Sequence, residues 1–406
     1  MNRLFRLLQL AVGTADLSDG MFRVLIPILG LAIDRSTLAI TLVSLSVRLP
    51  GLIVAVPTGH LLDRTRREPL FSMGSSVIRM ACTAGLCAMM AADLQSIPAL
   101  CALSFVAIAA SNVNDLAVQS SLSGYVTKEQ LPAANSWIYS AQTLLVQMVG
   151  PGAIGVLLGR ASSAAALGII AVFFALSAAV FVSLLVAVPR TESDRKPAGR
   201  PGFLYGFRYL AAHPALLGLA LLAALNNLCY AMIFTFLPAW VITPGPIGAS
   251  PGAYGWVVAA MAVGSLTGGY LGSRLRDVLT DARVTRWSFT VIAIGFAAVL
   301  PARLPLLVVG LAVYGFAIMI WNVRIVSFRQ AAIPQGEFGR VNAAFRWFSM
   351  GAPAVGALSA GALSPLIGMR GVFVTSVAML AVAAVVTFAR PITLDLEPAP
   401  VAQTTR

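Results

Sequence analysis

Charge is what this chain has least of. Only 11% of its 406 residues are Asp, Glu, Lys or Arg, against roughly a quarter in a soluble domain. Hydrophobic residues make up 58%, and the mean hydropathy is +0.86. A water-soluble fold of this composition would expose large apolar patches and aggregate. The solvent it calls for is a bilayer. Histidine is almost missing as well. His60 and His213 stand far apart at the edges of apolar runs, with no nucleophile or ligand spacing around them, which argues against triad chemistry and a zinc centre. The four cysteines, Cys82, Cys87, Cys101 and Cys229, fall inside apolar runs. They read as small buried hydrophobes rather than as a disulfide or metal framework. No G-x-x-x-x-G-K-[S/T] phosphate loop occurs, so ATP is not expected to act directly. Neither an enzyme, nor a cofactor, nor a bound metal is expected.

What charge there is has one dominant sign. The net charge is +13, an excess that elsewhere marks nucleic-acid binders. Here the basic residues form short clusters between apolar runs, without a continuous basic face, so nucleic acid is not an expected partner. A spanning helix needs about 20 mostly apolar residues, and twelve candidates are present: 9–31, 38–61, 70–91, 98–121, 133–159, 164–188, 215–239, 252–272, 286–301, 305–327, 341–363 and 371–389. The N-terminus opens with Arg3 and Arg6 like a signal peptide, but its apolar run carries Asp16 and Asp19 and lacks a small-residue cleavage site. It reads as a retained first helix. Lys and Arg crowd the even-numbered loops and the termini; the odd loops carry only Arg35, Arg160, Arg303 and Arg370. That bias predicts a multi-pass membrane protein with both termini in the cytoplasm. The Ala- and Arg-rich composition with only two Lys, Lys128 and Lys196, points to a GC-rich bacterial genome and so to a bacterial inner membrane.

The chain repeats itself. "VTKEQLPAANSW" (126–137) precedes the fifth span and "IPQGEFGRVNAA" (333–344) the eleventh, aligning Asn135 with Asn342. "GHLLDRTRR" (59–67) answers to "GGYLGSRLR" (268–276), pairing Gly59 with Gly268 and Arg67 with Arg276. The two alignments have nearly the same offset, close to half the chain. Six spans per half make the repeats parallel. The expected organisation is a six-helix bundle over 1–188, a linker with a surface amphipathic segment over 189–214, a second bundle over 215–390 and a tail over 391–406. The fold class is all-α integral membrane, in two pseudo-symmetric halves.

"GHLLDRTRRE" also resembles the loop signature of the major facilitator superfamily, G-x-L-x-D-R-x-G-R-R/K. Gly59, Leu61, Asp63, Arg64 and Arg67 match, while Arg66 stands where many members have Gly. The resemblance covers the whole chain and is closest to the drug and siderophore efflux branch, which includes macrolide and enterobactin exporters. It implies that Gly59, Asp63, Arg64 and Arg67 form a cytoplasmic latch that breaks during transport. "VGPGAIG" (149–155) is similar to the core of the fifth-span antiporter motif, through Gly150, Pro151 and Gly155. The Arg that many proton antiporters carry in the fourth span is absent; Asn112, Asn114, Asp115 and Gln119 occur there instead.

Ionisable residues inside spans are expensive and normally face a cavity or a partner. Asp16, Asp19 and Arg23 share a face of the first helix by their spacing of three and four. Arg48 and Arg79 lie at comparable depth, with Arg48 read as structural. Asn226, Asn227 and Tyr230 mark the seventh span, and Trp321, Asn322 and Arg324 the tenth. In the resembling family, spans 1, 4, 7 and 10 line the central cavity. The expectation is a wet, mixed-charge cavity built from Arg23, Asn112, Gln119, Asn226, Asn227, Tyr230, Trp321, Asn322 and Arg324, suited to a zwitterionic or mixed-polarity compound. Asp19, then Asp115, then Asp16 are the candidates for coupling to protons. The competing reading makes Asp19–Arg23 and Asp115–Arg79 static buried pairs. The function expected is proton-coupled efflux of an amphipathic drug, antibiotic or siderophore. The alternatives are an uptake carrier, a lipid-handling flippase of the same fold, or a non-transporting receptor.

Overall fold

The computed structural model describes residues 3–65, 68–127, 130–187, 205–274 and 281–389. These residues are helical almost throughout; one isolated bridge joins Ile242 and Ala249. The first half contains α1 (Arg3–Ile33), α2 (Thr37–Thr65), α3 (Glu68–Ala91), α4 (Ile97–Ser121), α5 (Leu131–Leu144), α6 (Gly150–Leu158) and α7 (Ser163–Ala187). After the short α8 (Tyr205–Ala212) come α9 (Pro214–Val241), α10 (Pro251–Arg274), α11 (Asp281–Ala297), α12 (Leu304–Ala332) and α13 (Gln335–Ala389).

Among the described residues, nine helices are long and apolar enough to cross a membrane. Helix α1 is not among them because Asp16, Asp19 and Arg23 interrupt its apolar run, and α11 has only 17 residues. Helix α13 is long enough for two crossings, and Gly368 breaks it with φ 70° and ψ 169°. Glycine occupies that left-handed position without the Cβ clash other residues would meet. The α8 segment is the expected amphipathic piece. Its Phe207 sits edge-on against Trp347 and Phe348 at the start of α13. The rest of the expected linker, 189–204, and the tail lie outside the described residues.

Helices α5 and α6 are one crossing with a widened turn between them. Pro151 has no N–H to give to the carbonyl four residues back. The preceding turn opens into a π-helix over Leu145–Val149, and Gly150 N donates to Leu145 O. Such turns occur where a helix must be re-aimed. Here the turn lies against α1. A Cβ on Gly20 would stand 2.7 Å from Leu145 O, and one on Gly150 2.7 Å from Gly20 Cα. The two backbones touch, as small residues permit in membranes.

Large apolar side chains such as Val172, Val186, Leu366 and Val385 project outward, where acyl chains replace water as solvent. The halves meet chiefly at the end of the bundle away from the chain termini. There Gly155 of α6 lies against Gly252 and Trp256 of α10, and Gly361 of α13 against Thr41 of α2. Arg35 Nη2 also donates to Thr243 O over 2.7 Å.

Candidate functional site

Between the halves lies a cavity of about 790 Å³, within the range of small-molecule sites. The first half gives it a polar and cationic wall: Arg23 of α1, Ser44 and Arg48 of α2, Asn112 of α4 and Gln147 of the π turn. The second half gives an aromatic wall: Tyr230 and Phe234 of α9, Tyr254 of α10, Tyr314 and Trp321 of α12. Tyr230 stacks on Phe234 with centroids 4.1 Å apart, and Tyr314 stacks on Phe296 at 4.0 Å. Ser44 Oγ and Thr235 Oγ1, 2.8 Å apart, bridge the two walls.

Most of the anticipated cavity residues converge here. Arg23, Asn112, Asn226, Asn227, Tyr230, Trp321 and Asn322 all line the cavity, as does Pro151 of the fifth-span motif. Asn227 Nδ2 donates to Ser349 O over 3.0 Å, and Asn112 Nδ2 to Ile108 O over 2.7 Å, so each has its amide partly committed to backbone. Trp321 packs edge-on against Phe289, its indole N–H buried without an acceptor. Two anticipated residues do not belong. Gln119 is exposed on α4 and Arg324 is not part of the lining. Gly150 and Gly155 serve helix crossings, not the cavity wall.

The expectation of mixed charge fails at the cavity surface. Among the described residues that line it are four arginines, Arg23, Arg48, Arg329 and Arg346, and no Asp or Glu. The carboxylates lie deeper within the first half. Asp19 pairs with Arg79 rather than Arg23: Arg79 Nη1 is 2.9 Å from Asp19 Oδ2, with side-chain exposures of 0% and 5%. Ser111 Oγ donates to the same oxygen over 2.6 Å, and Arg79 Nη2 donates to Ser76 Oγ over 3.2 Å. Asp115 accepts from Gln142 Nε2 at 3.0 Å instead of meeting Arg79. Asp16 is buried, and its Oδ2 has no hydrogen-bond partner. Asp115, Asp19, Arg79 and Arg23 all lie within electrostatic reach of it. Helical spacing placed these groups on one stripe of α1 but could not say which neighbours would enclose each turn. The terminus-side end of α1 packs into a cluster with Val118, Ile138 and Phe181 from α4, α5 and α7, whereas Arg23 emerges at the cavity.

Several cavity residues carried no signal in the sequence. Tyr254 and Tyr314 were two aromatics among many. Arg48, read as structural, reaches the wall, where its guanidinium lies 5.7 Å from the Tyr230 ring centroid. Arg329, expected in a loop, lies in α12; its Nη1 donates to Asn342 Oδ1 over 2.7 Å and its guanidinium caps Phe345. Gly59, Asp63 and Arg64 of the expected latch lie on α2. Their side chains, and Arg67 altogether, are outside the described part of the structure.

The whole-chain comparison decides the family. The Major Facilitator Superfamily profile matches residues 8–246 and again 244–405, once per half. The chain belongs to the major facilitator superfamily. It is a multi-pass membrane transporter, and not an enzyme. Among its relatives is the enterobactin exporter EntS of Shigella boydii serotype 4, 27% identical over 376 residues, covering 89% of this chain and 85% of that one. EntS of Salmonella typhimurium is also 27% identical, covering 89% and 86%. Of solved structures, a bacterial homologue of the iron transporter ferroportin in an inward-facing state superposes with a TM-score of 0.70 at 17% identity, covering 95% of this chain and 98% of that one. A bacterial homologue of the human lysosomal transporter Spinster, inward-facing and unoccupied, gives 0.70 at 16%, covering 96% and 97%. At these identities the structures establish the fold alone.

Proposed function

We propose that this facilitator exports an amphipathic small molecule of the drug or siderophore kind from the cytoplasm, by alternating access and at the expense of inward proton flow. The observation that carries the reading is the cavity between the halves, sealed at the end away from the termini by the Gly155–Gly252 and Thr41–Gly361 contacts. With the termini cytoplasmic, as the distribution of Lys and Arg indicates, this is the state that loads from the cytoplasm. Exporters among the relatives, matched over 89% of the chain, favour the outward direction.

Coupling is assigned to the carboxylate cluster beside the cavity, formed by Asp16, Asp19 and Asp115 with Arg23 and Arg79. Within it, Asp16 replaces Asp19 as first candidate. Asp19 already has its Oδ2 engaged by two donors, Arg79 and Ser111. Asp16 has a buried oxygen with no donor, an arrangement a proton relieves. Arg23 faces both this cluster and the cavity, which gives substrate and proton a shared neighbour.

The test is efflux from cells lacking their own pumps, loaded with fluorescent drugs and a siderophore panel. Expected is extrusion that a protonophore abolishes. Extrusion of nothing by well-expressed protein, with growth that depends on it when one nutrient is limiting, would replace export by uptake.

A further inference from the structure

Arg48 stands out among the cavity cations. Its Nε donates to Ser44 Oγ over 3.1 Å, and its terminal nitrogens have no acceptor among the described residues. The charged and titratable groups that face it are Tyr230, Tyr254 and a second cation, Arg23. No carboxylate among the described residues answers it. Arg23 has the Asp16–Asp115 cluster behind it, but Arg48 has only the cavity in front of it. A guanidinium held in an apolar membrane interior without a counter-charge is costly. Its planar fork matches a carboxylate, sulfonate or phosphate held by two parallel hydrogen bonds. The surroundings add a second requirement. Arg48 lies over Tyr230, which continues into Phe234 and Tyr314, so a ligand anchored on the fork meets an aromatic wall at once.

We infer that the transported molecule is an organic anion with a ring system, its acidic group docked on the terminal nitrogens of Arg48 and its ring laid against Tyr230 and Phe234. The inference rests on the transport reading of this cavity and replaces the zwitterion by an acid. Arg329 and Arg346 face one another nearer the termini, again with no acidic residue in the described lining. An anion entering from that side therefore meets positive fields all along its way, which raise its local concentration. A cationic drug meets four repulsive centres.

Binding and transport are separable, so the purified full chain in detergent is titrated with three probes of one ring: naphthalene-1-sulfonate, 1-naphthalenemethanol and 1-naphthylmethylammonium. Calorimetry is the readout. The sulfonate is expected to bind about ten-fold or more tighter than the alcohol, and the ammonium weakest, as charge-assisted hydrogen bonds and repulsion dictate. Arg48→Gln should remove that advantage, leaving the sulfonate no tighter than the alcohol, and Arg48→Lys should keep part of it, having the charge without the fork. Equal or tighter binding of the ammonium by the wild type overturns the inference, with no variant needed. So does unchanged sulfonate affinity in Arg48→Gln. Sulfonate bound through Arg48 but never moved across proteoliposomes would uphold the anion site and sink the transport reading.

Discussion

Asp19 and Arg79 form an ion pair across 2.9 Å between α1 and α3, sealed from solvent on every side. Asp19 also accepts from Ser111 of α4, so a single carboxylate ties three helices of the first half together. Removing one partner of such a pair leaves a buried charge unanswered. Asp19→Asn should therefore cost about 3 kcal/mol of stability, read as a lowered Tm in detergent. The double variant Asp19→Leu with Arg79→Leu should sit closer to the wild type than either single change, because no charge is stranded.

Asp16 should behave in the opposite way. It has an unpartnered oxygen and two carboxylates within reach. Asp16→Asn removes repulsion and should leave Tm equal to or above the wild type. If Asp16 carries the proton, the same variant loses protonophore-sensitive efflux while still exchanging substrate across a membrane without a gradient. Normal gradient-driven efflux by this variant would move the role to Asp115.

The crossing of α1 and the π turn leaves no room for a side chain at Gly20 or Gly150. Gly150→Val should lower stability by about 1–3 kcal/mol, the range for overpacked interiors. Gly74, with nothing near its missing Cβ, is the control, and Gly74→Ala should be neutral. Thermal unfolding of the two variants side by side gives the comparison.

Closure of the far end can be trapped covalently. A Cβ on Gly361 would stand 3.0 Å from Thr41 Cβ, close enough for a disulfide after slight adjustment. In a background without the four native cysteines, Thr41→Cys with Gly361→Cys should cross-link on addition of a copper–phenanthroline oxidant, stop transport, and recover on reduction. Failure to cross-link would mean that the halves are parted there in the membrane.

Asn342 anchors Arg329 by a 2.7 Å bond between α12 and α13. Asn342→Ala should cost about 1–2 kcal/mol, as expected for a hydrogen bond to a charged group, and leave the guanidinium resting on the face of Phe345. Asn342→Asp, which adds a charge opposite Arg329, should restore the loss in the same Tm measurement.

Much of this architecture is legible in the residues themselves. Apolar runs of membrane length, separated by Arg clusters, specify spanning helices, because a bilayer accepts few other backbones. The paired segments around Asn135 and Asn342, together with the Gly59–Arg67 signature, carry the family, which the match to both halves establishes. The polar residues of α1, α4, α9 and α12 are visible as exceptions to hydropathy, and most of them do meet at one cavity.

Tertiary structure decided what each polar group faces. Spacings of three and four define a stripe on a helix, but the stripe's neighbours come from other helices, scores of residues away. So Asp19 found Arg79 on α3, Asp115 found Gln142 on α5, and the described lining of the cavity kept arginines without carboxylates. The π turn before Pro151 and the break at Gly368 are likewise set by how backbones pack, since the sequence supplies the proline and the glycine but packing decides where a helix must bend. Hydropathy is a property of each residue and its near neighbours; the sign of a cavity belongs to the whole bundle.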